Sequence, residues 1–145
     1  MNEALALARR AFEREEVPVG AVVVLNDRVI GRGWNQTIVR SDPCAHAEIV
    51  ALRQAARRLG NYRLTSATLY CTLEPCAMCA AALVHGRLYR LVYGARDPKA
   101  GAVDSHLSLL QANFLNHRVE VIAGILQKDS AELLRQFFRQ KRHRD

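Results

Sequence analysis

Two short motifs constrain this chain more than any other feature: His46-Ala47-Glu48 and Pro75-Cys76-Ala77-Met78-Cys79, with 26 residues between Glu48 and Pro75. Each stands where a loop or strand gives way to a helical pattern. His46 to Leu59 reads as one helix closed by Gly60; Cys76 to Val84 reads as a second, entered at Pro75 and left before Gly86. Helix positions i and i+3 share a face, so Cys76 and Cys79 can aim both sulfurs at one point, and a helix N-terminus favours their thiolates. One nitrogen of His46 would complete three ligands to a zinc ion. A tetrahedral ion held by three protein ligands keeps a fourth position for water, which separates a catalytic site from a closed structural one. The chain must therefore fold so that two helix N-termini meet.

Glu48 lies two residues beyond His46, close enough to hydrogen-bond a zinc-held water without ligating the ion. Zinc supplies hydroxide near neutral pH, and a neighbouring carboxylate can carry the protons. Hydrolysis of an amidine at an aromatic carbon needs this pair: hydroxide attacks the carbon, the adjacent ring nitrogen is protonated, and ammonia leaves once the amine gains a proton. HxE alone or CxxC alone would carry little weight, since CxxC also serves redox chemistry and structural zinc modules. A redox reading leaves His46 and Glu48 idle, and a closed zinc module needs a fourth ligand that only Cys44 offers.

The remaining pattern surrounds the motifs with alternating elements. Ala4, Leu5, Leu7, Ala8, Ala11 and Phe12 recur at three- and four-residue spacing with charges between them, which predicts an amphipathic helix. Val19 to Leu25 and Arg28 to Trp34, joined at Asn26-Asp27, predict an antiparallel hairpin. Ala67 to Leu73, Leu88 to Tyr93 and Val119 to Ile122 predict three further strands, and Ser130 to Gln140 a terminal helix with Leu133, Leu134, Phe137 and Phe138 inward. A short helix is expected near residues 105 to 111. The expected fold is a three-layer α/β/α sandwich, a five-stranded mixed sheet flanked by helices, whose later strands are joined by helical crossovers.

At 145 residues, half of them hydrophobic, the chain is expected to form a single domain over 1–145. It has no run of 18 apolar residues, and Met1 to Glu16 is charged where a signal peptide needs an apolar block, so no membrane association and a cytoplasmic location are expected. The net charge is +7, and Arg139, Lys141, Arg142 and Arg144 in the tail face a single acid, Asp145. Such a tail serves either a polyanionic partner or simply its own helix dipole.

The segments HAE and TLEPCAMC resemble the HxE and PCxxC signature of the cytidine and deoxycytidylate deaminase superfamily. EVPVGAVVV, HAEIVALR, YCTLEPCAMC, YGARDPKAG and NHRVEV together resemble bacterial tRNA-specific adenosine deaminases nearly from end to end. The resemblance implies adenosine at the wobble position of a tRNA anticodon as substrate, inosine as product, the anticodon arm as partner, one Zn2+ per subunit and a homodimer. It places the zinc ligands on His46, Cys76 and Cys79, the proton shuttle on Glu48, a base contact on Asn35 and a ribose-side residue on Asp97. Asn35 can both donate to and accept from adenine, but Asn at a strand end also forms turns. Asp97 before Pro98 is likewise an ordinary turn former. Lys141 and Arg142 are candidate RNA contacts. Two other functions remain open: deamination of a free base or nucleoside of the guanine or cytidine type, and a zinc-stabilised RNA-binding module without catalysis.

Several residues are expected to be ordinary. Cys44 reads as a loop residue and Cys71 as core; Phe137 and Phe138 read as core on an amphipathic helix. His85, His106, His117 and His143 read as caps or surface residues, and Gly101 lies in no GxxxxGK phosphate loop.

Overall fold

The computed structural model describes residues 1–145. Its elements run α1 (Asn2–Glu13), β1 (Gly20–Leu25), β2 (Arg28–Trp34), α2 (Ala47–Leu59), β3 (Thr68–Leu73), α3 (Ala77–His85), β4 (Arg90–Ala95), β5 (Glu120–Ala123) and α4 (Gln127–Arg144). The five strands form one mixed sheet in the order β2-β1-β3-β4-β5. β1 is antiparallel to both β2 and β3, while β3, β4 and β5 run parallel. Helices α1 and α4 contact each other as well as the sheet; α2 contacts α3 and lies over β2 and β1. The expected three layers and the opening hairpin are both present. Asn26 and Asp27 turn the hairpin with φ of 50° and 62°, the positive pair that a two-residue turn needs to match strand twist.

Small residues set the depth at which α2 sits. Ala47, Ala51 and Ala55 are fully buried on its sheet-facing stripe. A Cβ added at Gly31 would meet the Ala51 carbonyl oxygen at 2.3 Å, and one at Gly33 the Ala47 carbonyl oxygen at 2.2 Å. The glycines of β2 therefore let the helix backbone rest directly on the strand. Since His46 immediately precedes α2, this contact fixes the height of the imidazole over the sheet. Leu64, Leu69, Leu83, Leu88, Leu91 and Tyr93, each at most 1% exposed, fill the core.

The structure departs from the pattern-based expectation in three places. The β3 to β4 crossover is helical, through α3, but residues 96–119 between β4 and β5 are irregular, with a single 3-10 turn at Leu109–Gln111. Their backbone groups find partners outside a helix, several of them on one buried carboxylate described below. Helix α4 begins at Gln127 and runs to Arg144, so the basic tail continues the helix instead of trailing from it. Phe137 is 5% exposed and packs edge-on against Phe12 with ring centroids 5.5 Å apart, whereas Phe138 is 45% exposed. The expectation that both are core is thus corrected: consecutive helix positions lie about 100° apart, and only one can face α1. Leu133 and Leu134 are half-buried at the edge of the same stripe.

Candidate active site

His46 and Cys76 both occupy the N-cap positions of their helices, one residue earlier than a first-turn placement, with extended backbone at φ −70° and −74°. Cys79 follows in the first turn of α3. The arrangement brings His46 Nδ1 to 3.6 Å from Cys76 Sγ and 3.5 Å from Cys79 Sγ, with all three candidate ligand atoms within 4.8 Å of one another. Bond lengths of about 2.0 Å to nitrogen and 2.3 Å to sulfur around a tetrahedral zinc give an N···S edge of about 3.5 Å. The donor set therefore fits a zinc-sized ion. Cys44 is exposed and is no part of this cluster; its N–H donates to Asp42 Oδ1, and its carbonyl accepts the His46 N–H. A fourth thiolate ligand from Cys44 is thereby set aside.

The electrostatics follow from burial and proximity. Cys76 is held down at about 3: a hydrogen bond from the Cys79 thiol is the largest cause, and His46 and the Cys79 N–H also outweigh the burial that opposes them. Cys79 is pushed up, first by that same bond to Cys76 and then by burial. Zinc ligation needs both sulfurs as thiolates, so a cation bound here would displace their protons. His46 is raised by its bond to Cys76, against burial and with help from Glu48. Glu48 is only 4% exposed, and burial raises its carboxyl in spite of its own backbone N–H, His46 and Cys79. A buried carboxyl raised in this way takes up and releases protons nearer neutrality than an exposed one. Cys71 lies in the core beside Glu48, and burial pushes its thiol well up, so it stays a neutral packing group.

Asn35 meets the same helix end. Its Oδ1 accepts the Ala47 N–H at 2.9 Å, satisfying the first amide of α2, for which His46 provides no side-chain cap. One lone pair of Oδ1 is therefore committed to the helix, and the NH2 keeps its donors free of it. The turn-forming possibility gives way to a capping role, which leaves the NH2 available.

Asp97, Lys141 and Arg142 come together in a second place, a groove between α4 and the loop after β4. Val17 and Leu73 line it with Phe138, and Arg96, Lys99, Arg135 and Arg139 add positive charge. Leu73, the last residue of β3, lies three residues before Cys76 in the chain. Asp97 Oδ1 accepts the N–H groups of Lys99 and Ala100 at 3.0 and 3.2 Å, the turn expected of Asp before Pro. Oδ2 accepts no bond from the protein. In the tail, Arg139 pairs with Glu132 at 3.4 Å and Arg144 with Glu15, whereas Lys141 and Arg142 form no ion pair. Lys141 Nζ instead lies 5.3 Å from the Phe137 ring centroid.

Two buried carboxylates escaped the sequence reading. Glu16, 1% exposed, accepts the N–H groups of Ile38 and Val39, each at 2.8 Å, and the Thr37 hydroxyl at 3.2 Å. It pins the loop between β2 and α2. Glu74, 2% exposed, does the same for the loop after β4. Burial alone would raise the Glu74 carboxyl, but the Ser105 hydroxyl and the backbone N–H groups of Asp104, Ser105 and Asp97 hold it down at about 2. The available signal was a lone acid at the end of an apolar strand, directly before Pro-Cys.

A mixed five-stranded sheet with an HxE and a PCxxC motif on adjoining helix N-termini defines the cytidine deaminase-like class of fold. Residues 1–142 match the model of the MafB19-like deaminase family. The chain is 52% identical to a tRNA-specific adenosine deaminase of Agrobacterium fabrum, over 98% of this chain and 93% of that protein. Against the tRNA-specific adenosine deaminase of Haemophilus influenzae it is 50% identical, over 98% of this chain and 83% of that one. A solved structure from a study of A-to-I editing by tRNA:A34 deaminases superposes with a TM-score of 0.90 at 50% identity, covering 92% of this chain and 97% of the other. A guanine deaminase from Nitrosomonas europaea superposes with a TM-score of 0.77 at 24% identity, covering 94% and 81%, and shares the fold. The chain belongs to the family of tRNA-specific adenosine deaminases.

Proposed function

We propose that the chain hydrolyses adenosine to inosine at the wobble position of tRNA anticodons, with Glu48 as the proton carrier and His46, Cys76 and Cys79 as the ligands of one Zn2+ per subunit. The observation that carries the chemistry is the buried Glu48 carboxyl set beside three donors spaced for zinc and no fourth protein ligand. Zinc, when bound, supplies a hydroxide nucleophile near neutral pH. Glu48 accepts a proton from water, passes it to the ring nitrogen beside the attacked carbon, and returns the next to the departing amine. Water and adenosine thus become inosine and ammonia, with one carboxyl serving each transfer. The Asn35 NH2 donates to the base. Asp97 Oδ2 stands on the ribose side, and Lys141 and Arg142 meet phosphates of the anticodon arm.

The basic groove favours RNA over a free base, which has no phosphates to meet cationic side chains. A non-catalytic module would bury Glu48 beside the ligands to no purpose. An anticodon loop also lowers the cost of extruding the target base, since its nucleotides are unpaired. We place the activity in a cytoplasmic homodimer built from one domain per chain; no helix is long and apolar enough to cross a membrane. Incubation of the zinc-loaded protein with total tRNA, followed by mass spectrometry of the nucleosides, should show inosine gained as adenosine is lost, and chelation should abolish the gain. Turnover of free guanine or cytidine without inosine in tRNA would overturn the assignment.

A further inference from the structure

Glu74 ends a strand and begins a loop anchor. It lies between Leu73 at the end of β3 and Pro75, two residues before the metal-ligand candidate Cys76. Its Oε1 accepts the Asp97 N–H at 3.0 Å and the Ser105 hydroxyl. Its Oε2 accepts the N–H groups of Val103, Asp104 and Ser105 at 3.1, 2.8 and 2.9 Å. The main chain closes the same seam: the Glu74 N–H donates to the Ala95 carbonyl, and the Ala102 N–H to the Pro75 carbonyl. Residues 96–105 have no helix or strand of their own, so this one carboxylate takes the place of a secondary-structure ladder. Gly101 keeps the space for it, since a Cβ there would lie 2.4 Å from Glu74 Cδ.

We infer that Glu74 is a positioning residue for the deamination proposed above: it locks the 96–105 loop to the Pro75-Cys76 segment and so fixes Asp97 relative to the metal-ligand cluster. This inference rests on that functional reading only for its catalytic consequence; the clamp itself is a geometric claim. A carboxylate suits the place because all five partners are donors, and charge-assisted bonds are shorter and stronger than neutral ones. Glutamine has the same shape but would turn an NH2 toward donors, on one side of the fork or the other. Asp97 does not touch Glu74 through its own carboxylate. Its N–H is held, and the turn made by its Oδ1 then follows from that root.

The test is a double-mutant cycle on kcat/KM for an anticodon stem-loop, using zinc-loaded wild type, Glu74→Gln, Asp97→Ala and the double variant at equal metal content. Glu74→Gln and Asp97→Ala should each lower kcat/KM by about tenfold or more, and the double variant by no more than about threefold beyond the weaker single, because both remove one positioned group. Effects that multiply would overturn the positioning role, as would a fully active Asp97→Ala. Hydrogen exchange at the amides of Asp97, Val103, Asp104 and Ser105 provides a readout that needs no substrate. Exchange there should quicken by about tenfold or more in Glu74→Gln and in Gly101→Ala, with α2 unchanged. Gly101→Ala keeps the test decisive should Glu74→Gln fold poorly. Wild type that makes no inosine would sink the substrate assignment while exchange still judges the clamp. Unchanged exchange in both variants would overturn the clamp whatever the activity.

Discussion

Asn35 is predicted to do two separable jobs, and substitutions can pull them apart. Asn35→Ala removes the acceptor of the Ala47 N–H, the first amide of α2. Loss of such a cap costs about 1 kcal/mol, and a part-buried donor left without a partner brings the total to about 2 kcal/mol. In a chain of 145 residues that is a fall in Tm of about 4 to 8 °C. Asn35→Asp keeps an acceptor at the same place and adds a charge that favours a helix N-terminus, so its Tm should stay within about 2 °C of wild type. It nevertheless lacks the NH2 assigned to the base. The assay pairs thermal unfolding of zinc-loaded protein with kcat/KM on an anticodon stem-loop. Alanine should lose stability and activity; aspartate should lose activity alone, by about tenfold or more, as expected when one substrate hydrogen bond is left unmade. An Asn35→Asp variant with wild-type kcat/KM would refute the donor role, and an Asn35→Ala variant with unchanged Tm would refute the cap.

The other predictions are shorter. Glu74, held at about 2 against an ordinary 4.5, stabilises the fold above pH 4.5 and loses that contribution as pH falls toward 2. The stability gap between metal-free wild type and Glu74→Gln should be flat from pH 7 to 5 and shrink by about 3 kcal/mol below it in denaturant titrations; a gap that widens in acid would contradict the assignment. Replacing Lys141 and Arg142 together by Ala should weaken stem-loop binding and reduce the salt slope by about 1 to 2, with single-turnover rates at saturation unchanged. Phe137→Ala should cost about 3 to 5 kcal/mol of stability, while Phe138→Ala, exposed in the groove, should cost under about 1 kcal/mol and act mainly on KM.

What could be read in the sequence depended on how local its physics was. The stripe of Ala4, Ala8 and Ala11 and that of Ala47, Ala51 and Ala55 carry their own periodicity, and both helices formed as expected. The hairpin followed from a turn pair between β-branched runs. The clustering of His46, Cys76 and Cys79 was legible because metal ligation demands residue types that few other roles need at that spacing. Glu16 and Glu74 were not, because a carboxylate is ordinary until its buried donors, 21 to 31 residues away, are known. The irregular β4 to β5 crossover was missed for the same reason: the order of its first ten residues comes from Glu74 and not from their own pattern. Asn35 was singled out as a candidate base contact, while its bond to Ala47 spans 12 residues that no periodicity links.

The most direct test of the central claim uses one anticodon stem-loop and two proteins. Zinc-loaded wild type and Glu48→Ala, matched for metal content by elemental analysis, are each given the stem-loop, and inosine at the wobble position is measured over time. The account predicts inosine with wild type and a loss of about a hundredfold or more with Glu48→Ala at full zinc occupancy, since general acid–base catalysis contributes on that scale. Inosine formed by Glu48→Ala at the wild-type rate would contradict it.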